Sequence, residues 1–120
     1  MKPNQLEDRL VRFAAEVILA YNQIDSSFAV EHLGKQLIRS ATSSALNYGE
    51  ARSAESNRDF LHKMKLSLKE LRECMVNLKI LKESSLMNES QRLEKMTSEC
   101  NELISIFVAS IKTATNKLKA

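Results

Sequence analysis

The sequence predicts an all-α fold, an antiparallel up-down-up-down four-helix bundle, and three observations carry that prediction. Its 120 residues include two glycines and one proline, too few of the residues that hairpins, Greek keys and phosphate-cradling loops place at defined turn positions. Apolar side chains recur at three- and four-residue spacing through four stretches. Between the stretches stand Ser, Asn and Asp, which cap helices and form turns. The glycine shortage also excludes all-β folds and Rossmann or P-loop sites.

Helix 1 is expected at about residues 5–24. Asn4 stands three residues before Glu7 at capping-box spacing, and Leu6, Leu10, Phe13, Ala14, Val17, Tyr21 and Ile24 share one face. Asp25-Ser26-Ser27 ends it. Helix 2, at 27–54, turns Val30, Leu33, Leu37, Ala41, Ser44, Ala45 and Tyr48 inward. The small residues there admit a neighbouring backbone, while Ser40, Ser43 and Asn47 form a polar strip alongside. Gly49 lowers helix propensity by about 1 kcal/mol relative to Ala, and so marks close packing or a weak point. Helix 3, at 57–84, starts from a cap at Ser56 and buries Phe60, Met64, Leu68, Leu71, Met75 and Leu78 over about 42 Å. Helix 4, at 89–118, opens on a capping box of Asn88 and Gln91 and carries Leu93, Met96, Cys100, Leu103, Ile104, Phe107, Ile111, Ala114 and Leu118.

Residues 1–120 are expected to form one domain that buries roughly two thirds of its unfolded surface. Cys74 and Cys100 have no CxxC partner, and with His32 and His62 they do not make zinc-ligand spacing. Reduced thiols and a cytoplasmic protein without metal or cofactor follow. Met1-Lys2-Pro3-Asn4-Gln5 lacks the apolar run of a signal peptide, and no stretch approaches the ~18 uncharged residues of a membrane span.

A di-iron bundle needs two Glu-x-x-His motifs and two further Glu residues. Asp59-Phe60-Leu61-His62 alone imitates that spacing, and it reads as a helix cap with a surface imidazole. With no nucleophile beside a base and no oxyanion turn, an enzyme is not expected. Arg39, Asn47 and Glu50 share one face of helix 2 and are expected to form a hydrogen-bonded polar network at a helix contact.

The chain carries +3, and residues 56–84 supply the surplus with seven Lys or Arg against four Asp or Glu. Arg58, His62, Lys65, Lys69, Arg72 and Lys79 fall within a sector of about 100°, a ridge about 30 Å long that can track phosphates. The competing reading is a solvated face on which Lys69 pairs with Glu73 and Asp59 with Lys63 at i,i+4. Without Trp and with few aromatics, base stacking is not supported, so the contact expected is with the phosphate backbone, independent of base sequence. Val11 and Ile18 on helix 1, with Ile106 and Val108 on helix 4, widen the apolar sectors beyond a core stripe and predict an oligomer interface.

Gln36-Leu37-x-Arg39-Ser40-Ala41, Asn47-x-x-Glu50-Ala51, Ser56-x-x-Asp59-Phe60 and Leu66-Ser67-Leu68-Lys69-Glu70 together resemble the four-helix-bundle proteins of the 23S ribosomal RNA intervening-sequence family, from Leu10 to about Leu81. The resemblance implies a small antiparallel bundle that assembles as a ring-like homopentamer. It sets Arg39, Asn47 and Glu50 at the family's recurrent polar positions, where they would organise the helix 2 to helix 3 corner or a subunit contact. The chain departs from the family at Asn22-Gln23-Ile24-Asp25, where a proline is common. The function expected is a non-enzymatic oligomeric scaffold that binds ribosomal RNA, another nucleic acid or a nucleoprotein through repeated basic faces. The alternative is an adaptor that docks a protein partner on an apolar groove.

Overall fold

Residues 1–119 are described by a computed structural model in which four helices follow one another: α1 (Pro3–Asn22), α2 (Phe28–Arg52), α3 (Asn57–Ser84) and α4 (Ser90–Lys119). Two serines start the middle pair. Ser27 Oγ accepts the Val30 N–H at 3.2 Å, and Ser56 Oγ accepts the Asp59 N–H at 3.0 Å, each satisfying a backbone donor that the first turn leaves free. The α3 boundaries coincide with those expected, while α2 is slightly shorter at both ends.

The outer helices start elsewhere than their cap patterns suggest. Asn4 lies inside α1, because Pro3 occupies the first helical position, where its fixed φ is already suitable and its missing N–H costs nothing. The Lys2 N–H donates to Gln5 Oε1 at 2.9 Å instead. At α4, the Leu93 N–H donates to the Glu89 carbonyl at 3.1 Å, so the cap position is Glu89 and not Asn88. Ser85 ends α3 in the left-handed region, at φ 56°.

Neighbouring helices run antiparallel, since across each contact one residue number rises as the other falls. Between α1 and α2, Arg52 pairs with Glu7 and Gly34 lies against Tyr21. Between α2 and α3, Ser40 meets Glu73, Ser44 meets Ser67, and Glu50 meets Lys63. Between α4 and α1, Arg9 reaches Glu99 and Glu102 while Arg92 reaches Glu16. That last seam is the loosest of the four, and ion pairs fasten it.

The core follows the helical period. Leu10, Val17, Leu37, Leu71, Leu78, Leu103 and Phe107 are fully buried, and the Tyr48 ring meets Phe107 edge to face at 5.6 Å. The small face of α2 brings α3 close: Ser67 Oγ donates to the Ser44 carbonyl at 2.9 Å, and Ser44 Oγ to the Ala41 carbonyl at 2.7 Å. Of the expected polar strip, Ser40 is buried in this contact while Ser43 and Asn47 are half-buried. Gly34 has a comparable role toward α1, for a Cβ there would lie 2.9 Å from Tyr21 Cδ1. Ile24, expected in the first core stripe, is half-buried in the turn beyond α1, and Leu118 is exposed near the end of α4. The molecule measures 51 × 20 × 20 Å. Among the described residues, no helix is long and apolar enough to cross a membrane.

Candidate functional site

Burial of Met64, Ser67, Leu71, Cys74 and Leu78 fixes the rotation of α3. Its outward face is therefore the one bearing Arg58, His62, Lys65, Lys69, Arg72 and Lys79, and all six are exposed. None of them forms an ion pair among the described residues. Neither i,i+4 pairing of the solvated-face reading is formed. Lys63 turns to Glu50 on α2 at 3.3 Å, and Glu73 turns to α2 as well. The cation row thus stands without the carboxylates that its own helix could have supplied.

Glu73 is part of a polar cluster that joins α2 to α3. Its carboxylate accepts the Ser40 hydroxyl at 3.2 Å and lies 3.5 Å from the Arg39 guanidinium, which is also 3.5 Å from Glu70. Glu70 is buried. Burial, with Glu73 alongside, holds its carboxyl above the usual carboxylate range, and Arg39 and Lys69 only partly offset this. Glu73 is held below that range, first by the hydrogen bond from Glu70 and then by Ser40, Lys69 and Arg39. Of the two carboxyls, Glu70 therefore holds its proton to the higher pH.

Arg39, Asn47 and Glu50 do not form one network. Asn47 Nδ2 donates to the Ser43 carbonyl within its own helix at 2.9 Å, and Glu50 binds Lys63. Eleven residues of helix separate Arg39 from Glu50 by about 16 Å, so each meets a different part of α3. The sequence pattern placed them on one face but carried no sign that Glu70, Glu73 and Ser40 gather around Arg39, because that depends on the packing of another helix.

The four apolar interface candidates are also dispersed. Val11, Ile18 and Val108 are exposed, while Ile106 is half-buried beside Pro3 and Leu6. Arg9 and Glu16 face α4, and Val11 and Ile18, each two residues further on, are rotated about 200° from that direction. The same rotation separates Val108 from Ile106. Exposed apolar residues that the periodicity did not single out include Leu46 on α2 and Val76 and Ile80 on α3.

Neither cysteine is placed for nucleophilic chemistry. Both are buried, Cys100 Sγ donates to the Leu71 carbonyl at 3.3 Å, and desolvation pushes the Cys100 thiol up to about 12 and raises Cys74 as well. His62 is exposed, and among the described residues no three His, Cys, Asp or Glu side chains gather closely enough to hold a metal ion.

Beside the cation row lies a trough of 710 Å³ between α2 and α3. Arg39 and Ser40 contribute from α2, and Lys65, Lys69, Arg72 and Val76 from α3.

The family model of the 23S rRNA-intervening sequence protein matches residues 4–109. Among solved structures, the chain is similar to a protein of unknown function from the S23 ribosomal protein family of Bacteroides thetaiotaomicron VPI-5482. That likeness has 29% identity and a TM-score of 0.79, over 93% of this chain and 99% of the other. A search of curated proteins finds no match. The helix order, the α2–α3 contact and the family match agree: the chain belongs to the 23S rRNA-intervening sequence protein family.

Proposed function

We propose that this protein is a non-enzymatic helical scaffold of the cytoplasm that self-associates, as a pentamer, and binds RNA through the cation row of α3. The observation that carries the reading is the row itself: six exposed basic or imidazole side chains on one helix, none neutralised by an ion pair among the described residues. Phosphate contacts by such side chains supply sequence-independent affinity. Repetition around a ring adds avidity that one +3 chain lacks. Exposed Val11, Ile18 and Val108 are the surfaces proposed for the subunit contacts, with Ile106 at their margin. The burial of both thiols, which leaves no accessible cysteine nucleophile, supports a binding protein over a catalyst.

Titration with structured RNA across a salt series tests the reading. Affinity is expected to fall steeply with salt, and joint replacement of Lys65, Lys69 and Arg72 by Ala should lower the logarithmic slope by roughly 2 to 3 per engaged chain. Absence of binding at about 50 mM salt, or affinity indifferent to salt, overturns it. Light scattering tests assembly, and a mass near that of the 13.6 kDa chain excludes the ring.

A further inference from the structure

Alongside its cations the α2–α3 trough exposes aliphatic surface. Val76 is 56% exposed and Ile80 43% exposed, and both line the trough with Lys65, Lys69 and Arg72. Val76 follows Arg72 by about one helical turn, and Ile80 follows Val76 by another. One end of the trough is consequently rich in cations, with the Glu73 carboxylate that also lines it paired to Arg39, and the other is aliphatic. At the aliphatic end the buried Asn77 donates Nδ2 to the Glu73 carbonyl at 3.3 Å and leaves Oδ1 without a partner. Gln36 of α2 lines the same trough.

A row of phosphates calls for cations alone. Duplex RNA offers a surface ridge mainly phosphates and 2′-hydroxyls, and laying these over Val76 and Ile80 would desolvate them with no hydrogen bond in return. An unpaired nucleotide has the polarity of the trough. Its phosphate suits the Lys-Lys-Arg end, its ring face suits aliphatic side chains and the plane of Arg72, and its edge carries donors and acceptors for Gln36. The expectation that stacking has no support rests on aromatic residues, whereas here the apolar platform is aliphatic.

We propose that the α2–α3 trough is a site for single-stranded RNA, holding a phosphate at Lys65, Lys69 and Arg72 and an unstacked base on Val76 and Ile80. This rests on the RNA-binding reading and adds strandedness to it. From Lys65 to Ile80 the trough runs about 22 Å, room for a few nucleotides of extended strand.

The test compares two labelled probes of equal phosphate number, an unstructured oligoribonucleotide and a blunt RNA duplex, by fluorescence anisotropy. Wild type, Lys65→Ala/Lys69→Ala/Arg72→Ala and Val76→Ser/Ile80→Ser are titrated after circular dichroism and light scattering have verified fold and mass. Wild type should prefer the single strand. Val76→Ser/Ile80→Ser should lose about fourfold or more in single-strand affinity, the equivalent of one CH2 group no longer buried against the base, so that the preference shrinks. The triple variant should lose affinity for both probes. Equal wild-type affinity for the two probes, or an unchanged preference in Val76→Ser/Ile80→Ser, overturns the single-strand site and leaves the cation row standing. No binding of either probe overturns both readings. A change of mass in Val76→Ser/Ile80→Ser assigns these side chains to a subunit contact and likewise overturns the site.

Discussion

The two glycines of α2 occupy ordinary helical backbone, and neither has a positive φ, yet alanine should act on them in opposite directions. Alanine is favoured over glycine in a helix interior by about 1 kcal/mol. At Gly49 the added Cβ meets only Glu7 Oε1 at 3.7 Å, an ordinary contact. Gly49→Ala should therefore stabilise by about 1 kcal/mol, or roughly 4 °C in Tm. At Gly34 the Cβ would lie 2.9 Å from Cδ1 and 3.1 Å from Cε1 of Tyr21. That ring is buried against α2, so either it or the helix must shift. Overpacking of this kind costs about 1 to 3 kcal/mol, which cancels or exceeds the propensity gain. The net effect of Gly34→Ala should lie between no change and a loss of about 2 kcal/mol. Urea unfolding of both variants, at one protein concentration and with unchanged m-value, measures the separation. If Gly34→Ala is as stable as Gly49→Ala, Tyr21 does not depend on a missing side chain at residue 34.

Other substitutions probe the core and the buried polar groups. Phe107→Ala removes the fully buried ring against Tyr48 and should cost about 3 to 5 kcal/mol in the same unfolding assay; a loss below 1 kcal/mol would place the core elsewhere. Tyr21→Phe deletes a buried hydroxyl without a partner, so stability should hold or rise, and a loss would reveal a hydrogen bond to that oxygen. Because Glu70 has a raised pKa, the folded chain keeps a proton that the unfolded chain has released. Its contribution is full below the unfolded pKa and declines as pH rises through the folded one. Glu70→Gln should remove that decline from urea midpoints measured across the acidic range, and an unchanged pH slope would contradict the burial argument. Cys74 and Cys100 should resist a water-soluble thiol reagent in native protein and react on unfolding, whereas native labelling of either would show an opening between α3 and α4.

Features that depend on short range were legible in the sequence. Ser27 and Ser56 cap as their positions suggest because the donor each serves lies three residues ahead. The exposure of the α3 row follows from periodicity, since residues opposite a buried stripe face solvent. Asn4 misled because Pro3, one residue earlier, gives the chain a better start. Glu70 was invisible for the opposite reason. A carboxylate in an amphipathic helix reads as surface, and only the approach of α2, with Arg39 and Ser40, buries it and shifts its proton. Arg39 and Glu50 were recognisable as a pair on one face, but a helical wheel carries no information about partners across a helix contact. The trough beside Val76 and Ile80 is likewise a property of two helices together.

The loose seam between α1 and α4 gives the molecule two different sensitivities to ionic strength. Exposed cations on α3 lose their long-range attraction once the screening length falls to about 10 Å, near 0.1 M salt. Arg9 and Arg92 are mostly shielded from solvent where they grip Glu99 and Glu16, and partly buried pairs are screened less. Rising salt should therefore silence the outer charges of the bundle before it weakens the ion pairs between α1 and α4. Between those two salt ranges the protein would have lost its outward pull on a distant polyanion while the side chains that tie its first helix to its last remain engaged.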